Sequence, residues 1–224
     1  MKTKNIFLTF ALGLFTTFAF SQFTSKLMTE TTTAHNFATG TGLGAGGAGY
    51  TFAASTIAGD GNGVCAVCHT PHNATSTDLP LWDHETSGTT FTPYPSGGTI
   101  QGTITAPSGA SQLCLGCHDG TANLDAYGKS ASPAGTISMN AGDLAYASFG
   151  ADLTNDHPIS ITYPADATAS AEQMKLASSL PAGMLYTNKV ECASCHGMHN
   201  PAVTSKLLRV SNDNSALCLT CHVK

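Results

Sequence analysis

Cys65-Ala-Val-Cys-His-Thr-Pro-His-Asn73 and Cys192-Ala-Ser-Cys-His-Gly-Met-His-Asn200 are one pattern, C-x-x-C-H-x-x-H-N, met twice in one chain. Each copy is followed by a C-x-x-C-H of a second type, Gln112-Leu-Cys-Leu-Gly-Cys-His118 in the first half and Ala216-Leu-Cys-Leu-Thr-Cys-His222 in the second. The four motifs consume all eight cysteines of the 224 residues: Cys65 and Cys68, Cys114 and Cys117, Cys192 and Cys195, Cys218 and Cys221. C-x-x-C-H is the attachment signature of c-type haem, in which two thiols at i and i+3 add to the two vinyl groups and the adjacent imidazole ligates the iron. A zinc site or a pair of redox disulfides would use the same cysteines, but neither requires a histidine after every pair. Four covalent c-type haems are therefore expected, with His69, His118, His196 and His222 as proximal ligands.

The repeat also supplies the distal ligands. Upstream of each double motif lies one more histidine, His35 before Cys65 and His157, in Asp156-His157-Pro158, before Cys192. The order His, C-x-x-C-H-x-x-H, C-x-x-C-H thus occurs twice, and each dihaem module holds two proximal histidines and two spare ones. The spare pairs are His35 with His72 and His157 with His199. His72 and His199 lie three residues after a proximal histidine, about 5 to 6 Å away on one face of a turn. Two intervening residues cannot carry the chain round a porphyrin, so each must serve a different iron from the one its neighbour holds. His84 is the ninth histidine and has no counterpart in the second half. Ligation and a surface position beside Trp82 are both open to it, and it stands as a reserve ligand. Methionine ligation at Met28, Met139, Met174, Met184 or Met198 is the less economical account.

Composition excludes other classes. Charged residues make up 10% of the chain, where an ordinary soluble domain has about a quarter. Twenty-three glycines and abundant threonine leave long helices little support. The segment 1–21 reads as an export signal: Lys2 and Lys4, an apolar run from Ile6 to Phe20, then Ala19-Phe20-Ser21 ahead of a cleavage before Gln22. The apolar run is short of the roughly 20 residues that span a bilayer. Without Lys2 and Lys4, seven basic residues face fourteen acidic ones, which offers nucleic acid no footprint. An exported location, extracellular or periplasmic, suits haem attachment outside the cytoplasm.

The remainder is turn chemistry. A Gly/Ala tract at Gly40 to Gly49 reads as a flexible tether, and Pro93 to Gly98, Pro107 to Gly109 and Ser132 to Gly142 read as turn clusters. The expected fold class is mostly irregular coil, with short helices at the haem motifs, a further helix at Ala169 to Leu176 and one small strand at Thr99 to Thr105. The expected divisions are a signal peptide (1–21), an N-terminal segment (22–64), a first dihaem module (65–130), a connecting segment carrying His157 (131–191) and a second dihaem module (192–224).

CAVCHTPHN with Pro80-Leu81-Trp82 behind it, LCLGCHDG, DHPIS, CASCHGMHN and LCLTCH together resemble the multihaem c-type cytochromes with paired CXXCH motifs. The resemblance is closest to the exported tetrahaem members that polymerise into extracellular nanowires. It implies bis-histidine haems in a stacked chain, and in filament members a distal histidine donated by the neighbouring subunit. Carried over, it makes His72, His157 and His199 distal ligands, with His35 or His84 as the fourth. The expected function is electron transfer without catalysis, with redox proteins or extracellular acceptors as partners and self-association into a filament. A soluble periplasmic carrier is the alternative, and a multihaem reductase with an open iron the less favoured one. His35, ahead of the tether, would reach its own haem in a carrier or the next subunit in a filament.

Overall fold

The structure is a computed structural model and describes residues 35, 42–43, 49–50, 65–72, 74, 81–97, 100–127, 137–165, 173–199, 202–203 and 206–223. The export signal of 1–21 lies outside these residues. Among the described residues no helix is long and apolar enough to cross a membrane.

Regular structure is sparse, as a Gly- and Thr-rich chain dictates. Two strands, β1 (Gly42–Leu43) and β2 (Gly49–Tyr50), pair antiparallel. The tract read as a tether is thus closed on itself at those four residues; the rest of it lies outside the described residues. Helix α1 (Gly109–His118) carries the second motif and is the longest among the described residues, followed by α2 (Ala141–Ala147). Strands β3 (Ile161–Thr162) and β4 (Lys189–Val190) pair antiparallel, and single turns α3 (Cys192–Cys195) and α4 (Cys218–Cys221) carry the last two motifs. The fold is therefore mostly coil with short helices, three of them at CXXCH motifs.

Two expectations are corrected here. The turn expected at Ser132 to Gly142 gives way at its end to α2, because Asn140 accepts a hydrogen bond from the Asp143 N–H and caps the first turn. The helix expected at Ala169 to Leu176 is absent from its described part, 173–176. There the Lys175 N–H donates to the Cys221 carbonyl and Met174 bridges His222, so the segment is held extended against the fourth motif. The strand expected at Thr99 to Thr105 contributes a single bridge, Ile104 to Ile161, to the edge of β3.

The apolar core among the described residues is small, and part of it lies in the motifs. Ala66, Val67, Leu113 and Leu115 are buried beside or between motif cysteines, and Val67 packs with Leu124 against Cys68, Cys117, Tyr127 and Met139. Tyr163, 1% exposed, donates its hydroxyl to the Lys175 carbonyl at 2.7 Å and lies 3.3 Å from that of Cys221, tying the fourth motif to β3. Gly116 serves a close approach: a Cβ there would stand 2.5 Å from the Glu85 carbonyl oxygen and 3.4 Å from His84 Nδ1.

Candidate haem-binding site

Each motif is folded as one turn. The N–H of His69 donates to Cys65 O at 2.9 Å, that of His196 to Cys192 O at 3.0 Å and that of His222 to Cys218 O at 2.9 Å, while the second motif ends α1. One helical turn sets the sulfurs at i and i+3 on one side with the imidazole directly after them, which is the spacing two vinyl groups and an iron require. Beyond His196 and His222 the backbone turns extended, so the chain leaves the turn at the imidazole itself.

Three imidazole pairs stand at similar spacing: His35 and His118 with ring centroids 5.8 Å apart, His69 and His199 at 6.1 Å, and His157 and His222 at 6.4 Å. Two imidazoles bound trans to one metal, each nitrogen about 2 Å from it and the ring centre about 1 Å further out, have centroids about 6 Å apart. Each of the three pairs joins one motif histidine to one spare histidine, so the donor set fits a bis-histidine iron. The pairing differs from a count closed within each module. His35 and His118 both belong to the first half and His157 and His222 to the second, but His199 faces His69 across the two halves. The cause is local: past His196 the Gly197 N–H bonds to Leu207 O, and the extended chain carries His199 away from its own motif. His72 is exposed, and among the described residues neither His72 nor His196 belongs to such a pair, although the His196 ring acts electrostatically on His35 and His118.

Carbonyl acceptors orient several of these rings. His118 Nδ1 lies 2.6 Å from Ala147 O, His196 Nδ1 2.8 Å from Lys206 O and His157 Nδ1 3.0 Å from Pro158 O. A carbonyl only accepts, so in each neutral ring Nδ1 carries the hydrogen and Nε2 keeps the lone pair a metal needs. Burial also favours neutral rings. It is the first cause of the low value at His118, which the Ala147 bond partly offsets, and of that at His199. His35 is lowered from 6.5 to about 3, through burial and then the neighbouring His118 and His196 rings.

His84 is neither a surface residue nor opposite a motif imidazole. It is 1% exposed, its Nδ1 lies 2.8 Å from Glu85 O, and its Nε2 lies 3.3 Å from Cys117 Sγ. It packs on the sulfur of the second motif. Trp82 stands edge-on to His69 at 6.0 Å. The Tyr146 ring is 83% exposed.

The thiols link the motifs in sequence order. None of the eight cysteines takes part in a disulfide. Burial and then Cys65 push Cys68 up to about 12, and burial, then Cys68, then Asp119 push Cys117 up to about 12. Cys114 hydrogen-bonds Cys192, and Cys195 is raised by burial and then by Cys221. The first motif thus neighbours the second, the second the third, and the third the fourth. Among the described residues no three His, Cys, Asp or Glu side chains converge on a position for a metal ion, as zinc would require. A cavity of about 620 Å³ opens beside the fourth motif, lined by Lys175, Pro181, Ala216, Leu219 and Thr220.

Two of the four buried carboxylates among the described residues abut a motif, and sequence reasoning missed both. Asp119, directly after His118, accepts from Thr89, Thr121 and Ala122 and from Ser87; burial alone would raise its value, and these donors hold it low. Glu191, directly before Cys192, is 3% exposed. Charged residues abutting a motif were the only signal for either.

Residues 186–224 match the family model described as the doubled CXXCH motif. The match spans the third and fourth motifs and marks them as covalent haem c attachment sites of the kind found in multihaem c-type cytochromes. No curated protein matches the chain.

Proposed function

We propose that the chain is an exported electron-transfer protein holding four covalent c-type haems, each between two histidines. The reading rests on one observation above all: three pairs of imidazoles, each uniting a motif histidine with a spare one, stand at the separation a trans bis-histidine iron requires. The haems supply reversible one-electron exchange when bound, and the chain fixes their spacing, ligation and exposure to water. His35 with His118, His199 with His69 and His157 with His222 would hold three of the irons, which would leave a substrate no open site at those three. Carbonyl partners on Nδ1 of His118, His157 and His196 leave Nε2 of each ring free to hold a metal, and the succession of neighbouring sulfurs would give electrons a path through the motifs in chain order.

The fourth iron, on His196, separates carrier from filament. The contact of His69 with His199 sets the two C-x-x-C-H-x-x-H segments against each other, and His72 of the same chain completes them reciprocally in a soluble carrier. A filament subunit is the second reading, favoured by the exposure of His72, which leaves its ring open to a second copy. In that case the histidine donated between subunits is His72, since His35 lies beside His118 of its own chain. Head-to-tail contacts of this kind need not close into a ring.

Optical and electron paramagnetic resonance spectra of the exported protein, taken with sedimentation, test both. Four low-spin haems in a monomer support the carrier; four low-spin haems only in assemblies, with one turning high-spin on dilution to monomer, support the filament. A haem that is high-spin in every state and binds carbon monoxide readily would overturn the non-enzymatic reading.

A further inference from the structure

Glu191 lies where the two halves of the chain meet, and its side chain is a built hub. Ser111 Oγ of α1 donates to Glu191 Oε2, Ser160 Oγ donates to the same oxygen at 2.9 Å, and the Ser194 N–H of α3 donates to the side chain in a capping box. Ser111 Oγ in turn accepts from the Cys192 N–H at 2.9 Å. Ser111 and Ser160 have no exposed surface. Ser160 takes the left-handed φ of 54°, a conformation that costs a β-carbon residue about 1 kcal/mol. It is held there by two further bonds, Ser108 N–H to its hydroxyl at 2.9 Å and Thr105 hydroxyl to its carbonyl at 3.0 Å. All the partners of the Glu191 carboxylate are donors, which is the complement of an ionised, acceptor-only group. Among the described residues no basic side chain lies within ion-pair distance of it.

A buried negative charge kept without a cation costs several kcal/mol in isolation, so its neighbourhood is the place to look for a compensating charge. The second motif begins three residues after Ser111, the third begins at the residue after Glu191, and the thiols of Cys114 and Cys192 hydrogen-bond each other. Glu191 is therefore adjacent to two haem-attachment points at once.

We propose that Glu191 sets the potentials of the two haems at this junction, by stabilising their oxidised form, which carries one more positive charge than the reduced form. The proposal rests on the four-haem reading above. Attraction between the carboxylate and a ferric haem in a low-dielectric junction favours the ferric state, so these two haems have lower potentials than they would beside a neutral side chain. Glu191 acts as a potential-determining residue and touches no iron.

Redox titration of the full haem-loaded protein, followed in the Soret band, tests this against two variants of opposite sign. Glu191→Gln keeps an acceptor oxygen for the serines and removes the charge. It should raise the ferrous-to-ferric ratio of one or two haems about tenfold at fixed applied potential, about 59 mV for one electron. Lys189→Gln removes a half-buried cation at the edge of the same network, where Nζ bonds Ser108 Oγ at 3.1 Å, and should lower that ratio by a smaller factor. Mere loosening of the junction would move both variants in one direction, and that result overturns the proposal, as does four-haem protein whose potentials stay put in both. If Glu191→Gln yields no loaded protein, Lys189→Gln decides alone: a downward shift supports the proposal and an unchanged titration overturns it. Fewer than four haems on the unmodified chain would instead strike the four-haem reading.

Discussion

At the residue scale, a histidine can serve a metal only while its ring is neutral, and His35 is held in that state by its surroundings. Its value of about 3 in the folded chain lies below the ordinary 6.5. The unfolded chain therefore takes up the extra proton between the two values; the stabilisation is complete above pH 6.5 and is lost as pH falls toward 3. Acid titration of the loaded protein should accordingly leave the haem on His118 low-spin through pH 5, and a high-spin signal rising near pH 6 would contradict the placement of His35. The two other unusual histidines predict opposite outcomes. His157→Ala should leave one haem high-spin with the fold intact, since His157 is exposed and its ring bonds only the neighbouring Pro158 carbonyl. His84→Ala should keep every haem low-spin but destabilise the protein by about 2 to 3 kcal/mol, through the cavity and the Glu85 carbonyl left without its donor. Denaturant unfolding together with the optical spectrum reads both. The motif histidines were legible at this scale because each directly follows a cysteine pair, and His72 and His199 because each stands three residues further on; His35 and His157 keep only an order, at unequal distances from the next pair. His84 was not, because nothing local in Trp82-Asp83-His84 tells a buried ring from an exposed one; only the approach of α1 decides it.

At the element scale, the second motif differs from the others in riding on a helix of ten residues, Gly109–His118, where the rest are single turns. Gly116 lets that helix meet the His84–Glu85 segment, and Gly120, at φ 74°, follows it in the left-handed conformation common just past a helix end. Gly116→Ala should cost about 1 to 3 kcal/mol, because its Cβ would meet backbone that cannot swing aside. The loss should fall on the seating of the second motif, seen as a thermal transition lowered without loss of the other three haems; an unchanged transition would show that the helix does not pack there. Short helices at the motifs follow from C-x-x-C-H chemistry and were legible. The turn of Ala141–Ala147 was not, because its signal is one capping asparagine in a stretch otherwise rich in turn formers. The pairing of β3 with β4 was also hidden, since two-residue strands carry no period.

At the scale of the whole molecule, a chain with so few large apolar residues in its core must find other surface to bury. On the proposed four-haem reading, macrocycles held by thioether and iron bonds would supply it. The sulfurs adjoin in chain order, and His199 crosses to His69, so the two halves of the repeat are interlocked rather than side by side. The duplication itself was plain from the sequence; the crossing was not, since order along a chain does not say which of two equivalent imidazoles a ring will face. The central claim, four covalent haems on four motifs, is tested most directly by the intact mass of the full chain under denaturing conditions, produced in a host that attaches haem c. The mass should equal that of the exported polypeptide plus four haems, with no thiol left to alkylate. A mass short by one haem or more, with the matching pair of cysteines open to alkylation, would contradict it.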